Sequence, residues 1–297
     1  TQVTALTFGT GTFGTSTANA SPFSFVYTPS VADIAAGTVT IKVVTNNPLG
    51  SPCRPDTNTF TLTLKPIPVI NAGVDTLLNC TRTTLNLNAT SSIAGTTYAW
   101  SNGTNTATNA VTSPNTYTVT GTANGCTATD AVTISQNIAP PVANAGVDKT
   151  LTCTNPALQI GTAGSVNNTY SWSPTAGLSD DSIAQPTASS AATYTLTVRN
   201  TLNGCTATDA VTISQNTTPP VANAGADKTL TCSVTSLQIG TPAVAGNMYF
   251  WLPDSGLSSA GVAQPNTTVP ATYTLTVTNL SNGCTATDVV IISQDTT

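Results

Sequence analysis

The chain has 297 residues with 7 basic and 12 acidic side chains, and it contains no histidine and no glutamate. The commonest general acid–base groups and metal ligands are therefore missing, and so few cations cannot form the basic surface that nucleic acids require. With 63 threonines and few strong helix formers, the composition favours an all-β protein that is not an enzyme.

The apolar content indicates a folded chain that does not insert into a membrane. Hydrophobic residues make up 39% and the net charge is −5, whereas disordered chains combine low hydrophobicity with high net charge. The sequence has no run of 18 apolar residues, as a transmembrane helix would need. The chain starts at Thr1 without a signal peptide, which predicts a mature product or a fragment of a longer protein.

Residues 1–67 form a unit of their own, which is predicted to be an incomplete β-sandwich module. Residues 9–13 and 27–30 resemble the middle of a sandwich rather than its start, and no cysteine precedes Cys53. We predict that the first strands and a partner for Cys53 lie upstream of Thr1. The alternative is that a neighbouring subunit donates the missing strand.

The rest of the chain consists of three tandem copies of one module. Each copy has an NAGxD turn near its start and an NGCTATD string near its end, beginning at Asn71 and Asn124, Asn144 and Asn203, and Asn223 and Asn282. Proline-containing junctions favour short, semi-rigid linkers. The first, second and third repeats are predicted at 68–139, 140–218 and 219–297, and the four modules are expected to form an elongated rod.

Within a repeat, the hydrophobic pattern predicts short antiparallel strands. In the second repeat, apolar residues alternate with threonine over 194–198, and Cys205, Ala207, Val211 and Ile213 share one parity. No segment shows helical periodicity over about 10 residues, so a crossover helix is not expected. About seven such strands separated by turns predict a β-sandwich.

Each repeat holds two cysteines, and modules of about 75 residues tend to need a covalent staple. One bridge within each repeat is the simplest arrangement, and it predicts the pairs Cys80–Cys126, Cys153–Cys205 and Cys232–Cys284. A bridge that closes about 50 residues contributes about 4 kcal/mol in the chain-entropy description. Reduced thiols are the alternative, and zinc is disfavoured because CxxC spacing and histidine are both missing. Structural disulfides predict an oxidising, extracellular location.

Two patterns could suggest a ligand or a reaction. One tryptophan recurs in each repeat within a YxW string, at Trp100, Trp172 and Trp251. We predict that each is a core residue packed against the disulfide of its repeat, rather than a platform for sugars. The adjacent Asp180 and Asp181 have no counterpart in the other repeats and are not predicted to be a catalytic pair.

Six of the twelve aspartates recur at two fixed points of the repeat. Asp75, Asp148 and Asp227 lie in the NAGxD turn, and Asp130, Asp209 and Asp288 lie in the last strand. The second set shares parity with inward-facing residues, so each carboxylate must be hydrogen-bonded or paired. The principal interpretation is an aspartate at the rim of the core that accepts backbone N–H groups, or one that a bulge turns outward. A calcium site formed by the two sets is the alternative, and no other cofactor is expected.

Taken together, these strings resemble a known class of proteins. The NAGxDxTLTC, LQIGT, YxWxP, TYTLTV and NGCTATD strings are similar to repeats of very large surface adhesins of Bacteroidota, including gliding-motility adhesins and predatory appendages. Residues 1–67 resemble a second repeat type of the same proteins. The resemblance implies tandem PKD-like and immunoglobulin-like β-sandwiches, export by a type IX route, and a place on the bacterial cell surface or in a secreted appendage.

The function that the resemblance implies is a structural stalk or filament segment that presents or forms an adhesive fibre. The expected partners are copies of the chain or further repeats of the same polypeptide, with neither nucleic acid nor membrane among them. The alternative is an adhesin module that itself binds glycan or the surface of a prey or host cell. That alternative predicts exposed aromatic residues in the loops of one divergent repeat, and Met248 and Phe250 are the only sign of them.

Overall fold

Strands dominate the fold, and the all-β class is confirmed. The computed structural model describes residues 3–7, 12–16, 25–45, 54 and 56–295. The chain divides into two compact units, residues 1–138 and 139–297. Within the described ranges, no helix is long and apolar enough to cross a membrane.

The N-terminal segment contains two small antiparallel sheets, β1-β4-β5 and β2-β3. Its elements are β1 (Val3–Thr7), β2 (Thr12–Ser16), β3 (Phe25–Thr28), α1 (Val31–Ala36), β4 (Thr38–Thr45) and β5 (Thr57–Thr63). Cys53 lies outside the described residues. The missing strands of this module and the partner of Cys53 therefore stay predictions.

Helix α1 is not indicated by periodicity, because six residues are too few to show it. The helix starts at a capping box, a local signal that the sequence does contain. Ser30 Oγ accepts a hydrogen bond from the Asp33 N–H at 3.1 Å, and Asp33 Oδ2 accepts from the Ser30 N–H at 2.9 Å. The Tyr27 hydroxyl also donates to Asp33 Oδ2, at 2.7 Å. This buried carboxylate thereby holds the helix start beside β3.

The first repeat is built from short strands in three sheets, β10-β12-β13-β7, β11-β8 and β6-β9. They are β6 (Ile70–Asn71), β7 (Thr76–Asn79), β8 (Leu85–Asn88), β9 (Thr90–Ser91), β10 (Thr97–Trp100), β11 (Thr108–Val111), β12 (Asn115–Ala123) and β13 (Cys126–Asn137).

The second and third repeats share one topology, in which a four-stranded sheet accompanies a two-stranded sheet. The second repeat contains β14 (Lys149–Thr152), β15 (Leu158–Gln159), β16 (Asn168–Ser173), β17 (Thr187–Ala188), β18 (Ala192–Asn200) and β19 (Thr206–Asn216). The third contains β20 (Lys228–Leu230), β21 (Leu237–Gln238), β22 (Asn247–Leu252), β23 (Asn266–Thr267), β24 (Ala271–Asn279) and β25 (Thr285–Gln294). The sheets are β14-β19-β18-β16 with β15-β17, and β20-β25-β24-β22 with β21-β23.

One strand pair in each repeat is parallel, and it fixes where the cysteines lie. The first strand of the four-stranded sheet runs parallel to the last strand of the repeat, as β14 does with β19. The other described pairs of that sheet, β16–β18 and β18–β19, are antiparallel. The end of β14 therefore lies beside the end of β19 and far from its start.

Each repeat has its own hydrophobic core, enclosed by residues of the larger and smaller sheets. The three cores lie within residues 70–134, 145–213 and 224–292. Trp100, Trp172 and Trp251 belong to these cores and are at most 3% exposed. This arrangement is an immunoglobulin-like β-sandwich repeated in tandem. The exact boundaries of the repeats stay a prediction.

Candidate functional site

The second and third repeats are joined covalently. Cys153, just after β14, forms a disulfide with Cys284, just before β25, and the two Cα atoms are 5.0 Å apart. The Cys153 N–H also donates to the Asn282 carbonyl oxygen at 3.0 Å. The bridge thus ties the Asn282–Gly283–Cys284 turn of the third repeat to the edge of the second.

Polar groups complete this junction. The buried Asn282 amide donates from Nδ2 to Asn216 Oδ1 and to the Thr218 carbonyl oxygen, both at 3.0 Å. Its own Oδ1 accepts from the Cys284 N–H at 2.9 Å, which holds the turn in place. Because each amide group of Asn282 has a partner, its burial carries no unpaired polar atom.

Gly283 lies where the second and third repeats approach each other closely. A Cβ atom there would lie 2.2 Å from Thr154 Cγ2, and the backbone φ angle is +68°. Only glycine adopts this conformation readily and leaves room for the neighbouring turn. The NGC string of the third repeat therefore contacts the second repeat, a role that sequence reasoning missed.

The predicted disulfide pairing is wrong. Thr152 is level with Asn216 in the parallel pair, so Cys153 lies beside Thr217, with 4.0 Å between Cys153 Sγ and the Thr217 carbonyl oxygen. Cys205 lies roughly 12 residues earlier along the same strand, roughly 40 Å away at about 3.3 Å per residue. A disulfide needs Cα atoms within about 7 Å, so the strand pairing forbids the bridge within the second repeat.

The bonding states of the other described cysteines also contradict the predicted pairs. Cys126 and Cys232 carry free thiols, so the predicted pairs Cys80–Cys126 and Cys232–Cys284 do not form. Cys80 and Cys205 are each disulfide-bonded. A parallel first strand separates the two cysteines of every repeat, so none of the three predicted pairs has the geometry of a bridge.

The recurrent aspartates form a reciprocal clamp inside each repeat. In the second repeat, Asp209 Oδ2 on the last strand accepts from the Ala145 N–H of the NAGxD turn at 2.8 Å. Asp148 Oδ1 in that turn accepts from the Thr212 N–H of the last strand, also at 2.8 Å. The same two contacts occur in the other repeats, from Asp130 and Asp75 in the first and from Asp288 and Asp227 in the third.

The recurrent aspartates accept backbone N–H groups. Each of the six carboxylates accepts a backbone N–H, with donor–acceptor distances of 2.7 to 2.8 Å. Among the described residues, no group of three or more histidine, cysteine, aspartate or glutamate side chains could hold a metal. The arrangement therefore supports the rim interpretation of Asp130, Asp209 and Asp288.

The tryptophans are held by the loop that crosses over them. Trp172 Nε1 donates to the Ile183 carbonyl oxygen at 2.9 Å, and Trp100 and Trp251 make equivalent bonds to Thr106 and Val262. The core clusters contain no cysteine, so the predicted packing of each tryptophan against a disulfide is wrong. The bridge Cys153–Cys284 lies at the junction instead.

A tyrosine that the sequence analysis did not single out fastens a corner of each sandwich. The Tyr194 hydroxyl donates toward the carbonyl oxygens of Ala176 and Ser190, at 3.0 and 3.1 Å, and burial raises its pKa. Tyr117 and Tyr273 bond a carbonyl four residues upstream in the same way. Immunoglobulin-like sandwiches use such a tyrosine corner, and the recurrent TYT string is the signal that could have identified it.

Of the adjacent aspartates in the second repeat, Asp180 stabilises a turn. Asp180 Oδ1 accepts from the Ser182 hydroxyl at 2.6 Å and from the Ser182 N–H at 2.8 Å. These two hydrogen bonds lower the pKa of Asp180. A general acid needs a raised pKa, so the geometry does not suit paired-carboxylate hydrolysis.

The third repeat differs from the second on one outward face of its larger sheet. Met248, Phe250 and Leu252 on β22 are 52%, 50% and 54% exposed, and Val289 and Ile291 on β25 are 47% and 50% exposed. Leu252, Thr274 and Val289 are cross-strand neighbours, so the apolar side chains share one face. The second repeat has Thr169, Ser171, Ser173, Ala210 and Thr212 at these positions. The divergence that the binding alternative predicts lies on a sheet face, not in the loops.

Comparison with known proteins yields structural likeness alone. Neither a protein-family profile nor a curated protein sequence matches the chain. Solved structures that resemble it include the I-band fragment I67–I69 of titin, at 13% identity and a TM-score of 0.39, covering 78% of this chain and 99% of that one. Immunoglobulin domains 1–5 of Sidekick-1 match at 12% identity and a TM-score of 0.33, covering 88% of this chain and 66% of that one. Both are tandem immunoglobulin-domain structures.

Proposed function

We propose that this chain is a structural tether, a segment of an extracellular stalk or filament whose repeats are cross-linked to one another. The disulfide between consecutive repeats carries the proposal, because it protects a junction rather than a single sandwich. Covalent bonds between repeats suit a chain under tension, and they suit an oxidising compartment. The sequence resemblance to bacterial surface adhesins supports a place on the cell surface or in a secreted appendage.

The mechanical consequence of the bridge is large. A load on the second and third repeats enters at Cys153 and leaves at Cys284, so the chain between the two cysteines bears little of it. That segment has a sequence separation of 131, and the core residues of both repeats lie largely within it. Under load, unfolding of these sandwiches would therefore release almost no length.

Force spectroscopy on the full chain tests this tether. Noncanonical amino-acid handles replace Val142 and Asp295, so that the load crosses the second and third repeats. The Cys284→Ser variant should release the chain between Cys153 and Cys284, with its sequence separation of 131, when these repeats unfold. This release adds about 45 nm of contour length at roughly 3.5 Å per residue. The parent chain should extend without that gain.

Cys232→Ser is the matched control, because Cys232 is a free, exposed cysteine in the same repeat. Its extension trace should equal that of the parent. If the parent and Cys284→Ser chains extended equally, the bridge would not carry load and the tether proposal would fail. Immunogold labelling of thin sections of cells that produce the protein tests the location separately, since label confined to the cytoplasm would contradict an extracellular role.

The proposal includes no catalysis, no cofactor and no nucleic acid. We propose that the partners are copies of the chain or further repeats of the same polypeptide. The junction between the second and third repeats supports polar, asparagine-rich contacts of this kind, since the Asn282 amide donates to Asn216 Oδ1 and to the Thr218 carbonyl oxygen.

A second candidate function is favoured by the apolar face of the third repeat. We propose that this face binds a cell surface, through glycan or protein, while the rest of the chain acts as its stalk. An exposed aromatic and several other apolar side chains on one sheet face offer stacking and apolar contact that the other repeats lack.

The triple variant Met248→Thr, Phe250→Ser, Leu252→Ser tests this face by copying the second repeat. Loss of three apolar contacts should weaken binding of the full chain to intact target cells by more than about tenfold. Thr169→Ala is the control, because it alters the equivalent strand of the second repeat. Equal binding by the triple variant would remove this face as the adhesive surface and would leave the tether role intact.

A further inference from the structure

Two cysteines in the described part of the chain are free, and they occupy complementary places in the repeat. Cys232 follows a TLT string in the third repeat, as Cys153 does in the second, and Cys126 follows an NG pair in the first repeat, as Cys284 does in the third. The bridged pair Cys153–Cys284 is therefore a template for a Cys232–Cys126 pair. We propose that Cys232 of one copy of this chain bonds to Cys126 of a second copy and joins the copies head to tail.

The turn that carries Cys232 already has the conformation of its bridged counterpart. After β14, the Asn155 N–H donates to Thr152 Oγ1 and the Thr152 N–H donates to the Asn155 carbonyl oxygen, both at 3.1 Å. After β20, Val234 and Thr231 make the same two bonds at 3.0 Å. The turn that carries the free Cys232 thus has the conformation of the turn that carries the bridged Cys153. Docking therefore does not have to reorganise the Cys232 turn before the bond forms.

The receiving turn is buried in the third repeat and more exposed in the first. Asn282 and Cys284 are 2% and 1% exposed, since the second repeat covers them. Asn124 is exposed and Cys126 is half-buried. Among the described residues, no atom lies within 4 Å of a Cβ built on Gly125. Cys126 Sγ is 3.9 Å from the Lys65 carbonyl oxygen, but the Asn124 tip of the turn is exposed, so a second copy can approach it from solvent.

The side chains around the two cysteines are complementary. Asn124 holds the sequence place of Asn282, whose amide donates to Asn216 Oδ1 across the bridged junction, although Asn124 lies in a shorter turn between the paired residues Ala123 and Cys126. Asp295 stands in the third repeat where Asn216 stands in the second, so the Asn124 amide would meet a carboxylate and make a stronger, charge-assisted bond. Ser233 takes the place of Thr154 and is smaller, which suits the close approach to Gly125.

A second copy of the chain is the partner, because one polypeptide carries both halves of the junction. The halves differ, so the contact is heterologous: each copy offers Cys232 to one neighbour and Cys126 to the next. Heterologous contacts that do not close into a ring produce an open filament. The linkage concerns assembly and does not rest on the tether role of the single chain.

The chemistry is an ordinary two-electron oxidation. Two S–H bonds break, one S–S bond forms between Cys232 and Cys126, and two protons pass to solvent. The two electrons pass to an oxidised disulfide reagent, such as oxidised glutathione, which is reduced to two thiols through a mixed-disulfide intermediate. An oxidising extracellular compartment supplies acceptors of this class.

The test uses the full chain incubated with oxidised glutathione and analysed by non-reducing gels and peptide mass spectrometry. Dimers, trimers and longer species should form, collapse to monomer on reduction, and yield a Cys232–Cys126 cross-linked peptide. The experiment is run in parallel with Cys53→Ser, so that linkage through Cys53 is recognised. Circular dichroism checks that every variant keeps its strand content.

Single variants make the test specific. Cys232→Ser alone and Cys126→Ser alone should remain monomeric, whereas their mixture should give dimers and nothing larger. Asn124→Ala, which keeps both thiols, should slow linkage about tenfold, the effect of losing about 1.4 kcal/mol of docking energy. Dimers bonded through two copies of Cys232, glutathione adducts alone, or equal rates with Asn124→Ala would each overturn the proposal.

Discussion

Replacing Asp209 by alanine is expected to destabilise the second repeat by about 2 to 3 kcal/mol. The carboxylate is half-buried and accepts the N–H of Ala145, a residue that is fully buried. Alanine removes the acceptor, and the N–H is left without a partner where water does not reach it. Hydrogen exchange in residues 141–217 should therefore accelerate by about 30- to 150-fold.

Two variants separate the hydrogen bond from other effects of this change. Asp209→Asn keeps an acceptor oxygen and should cost less than half as much. Asp148→Ala removes the other member of the clamp, but Asp148 is exposed, so water can replace it and the loss should be smaller. Equal exchange rates in Asp209→Ala and the parent chain would show that the clamp does not stabilise the repeat.

The same protein tests the calcium alternative. If the carboxylates serve backbone N–H groups, thermal unfolding should follow one curve in EDTA and in millimolar calcium. A cation that bound the folded state would raise the unfolding temperature with its concentration. A calcium-dependent rise that Asp209→Ala abolishes would restore the calcium site.

The cores could be predicted from sequence, because burial follows the two-residue period of a strand whatever its partner. The alternation in residues 194–198 and the shared parity of Val211 and Ile213 hold in β18 and β19, where these residues are buried or face the core. The same parity placed Asp209 at the rim. Its partner Ala145 could not be deduced, since that contact depends on how the first turn returns to the last strand.

The disulfide pairing could not be predicted from composition and spacing. Two cysteines per repeat favour one bridge per repeat only if each sandwich is a closed unit. The parallel pairing of β14 with β19 places Cys153 and Cys205 at opposite ends of one sheet. Alternation in a four-residue edge strand does not show whether the strand pairs parallel or antiparallel, so the pattern could not reveal that separation.

Substituting Gly121 by valine is expected to destabilise the first repeat by about 1 to 3 kcal/mol through overcrowding. A Cβ at this position would lie 2.1 Å from Ile70 Cδ1 and 3.1 Å from Thr96 Cγ2. The other repeats reverse the sizes at positions 70 and 121. The second repeat has the smaller Ala143 in place of Ile70 and the larger Val198 in place of Gly121. The pair therefore fills one space in two ways.

The swap predicts strong coupling between the two positions. Ile70→Ala alone should cost about 2 to 5 kcal/mol, because it opens a cavity in the core. The double variant Ile70→Ala, Gly121→Val restores the volumes of the second repeat, and it should be more stable than the sum of the single changes by about 1 to 3 kcal/mol. Hydrogen exchange in residues 69–137 compares the stability of the two single variants and the double variant with that of the parent.

The valine itself is compatible with the backbone, since Gly121 lies within β12 and outside the left-handed region that requires glycine. Strands favour β-branched residues, so the only cost of Gly121→Val is the contact with its neighbours. Val198→Gly with Ala143→Ile in the second repeat is the reciprocal exchange and should show the same coupling. Additive effects in both repeats would mean that the two positions do not share one cavity, and that the repeats pack this corner by different means.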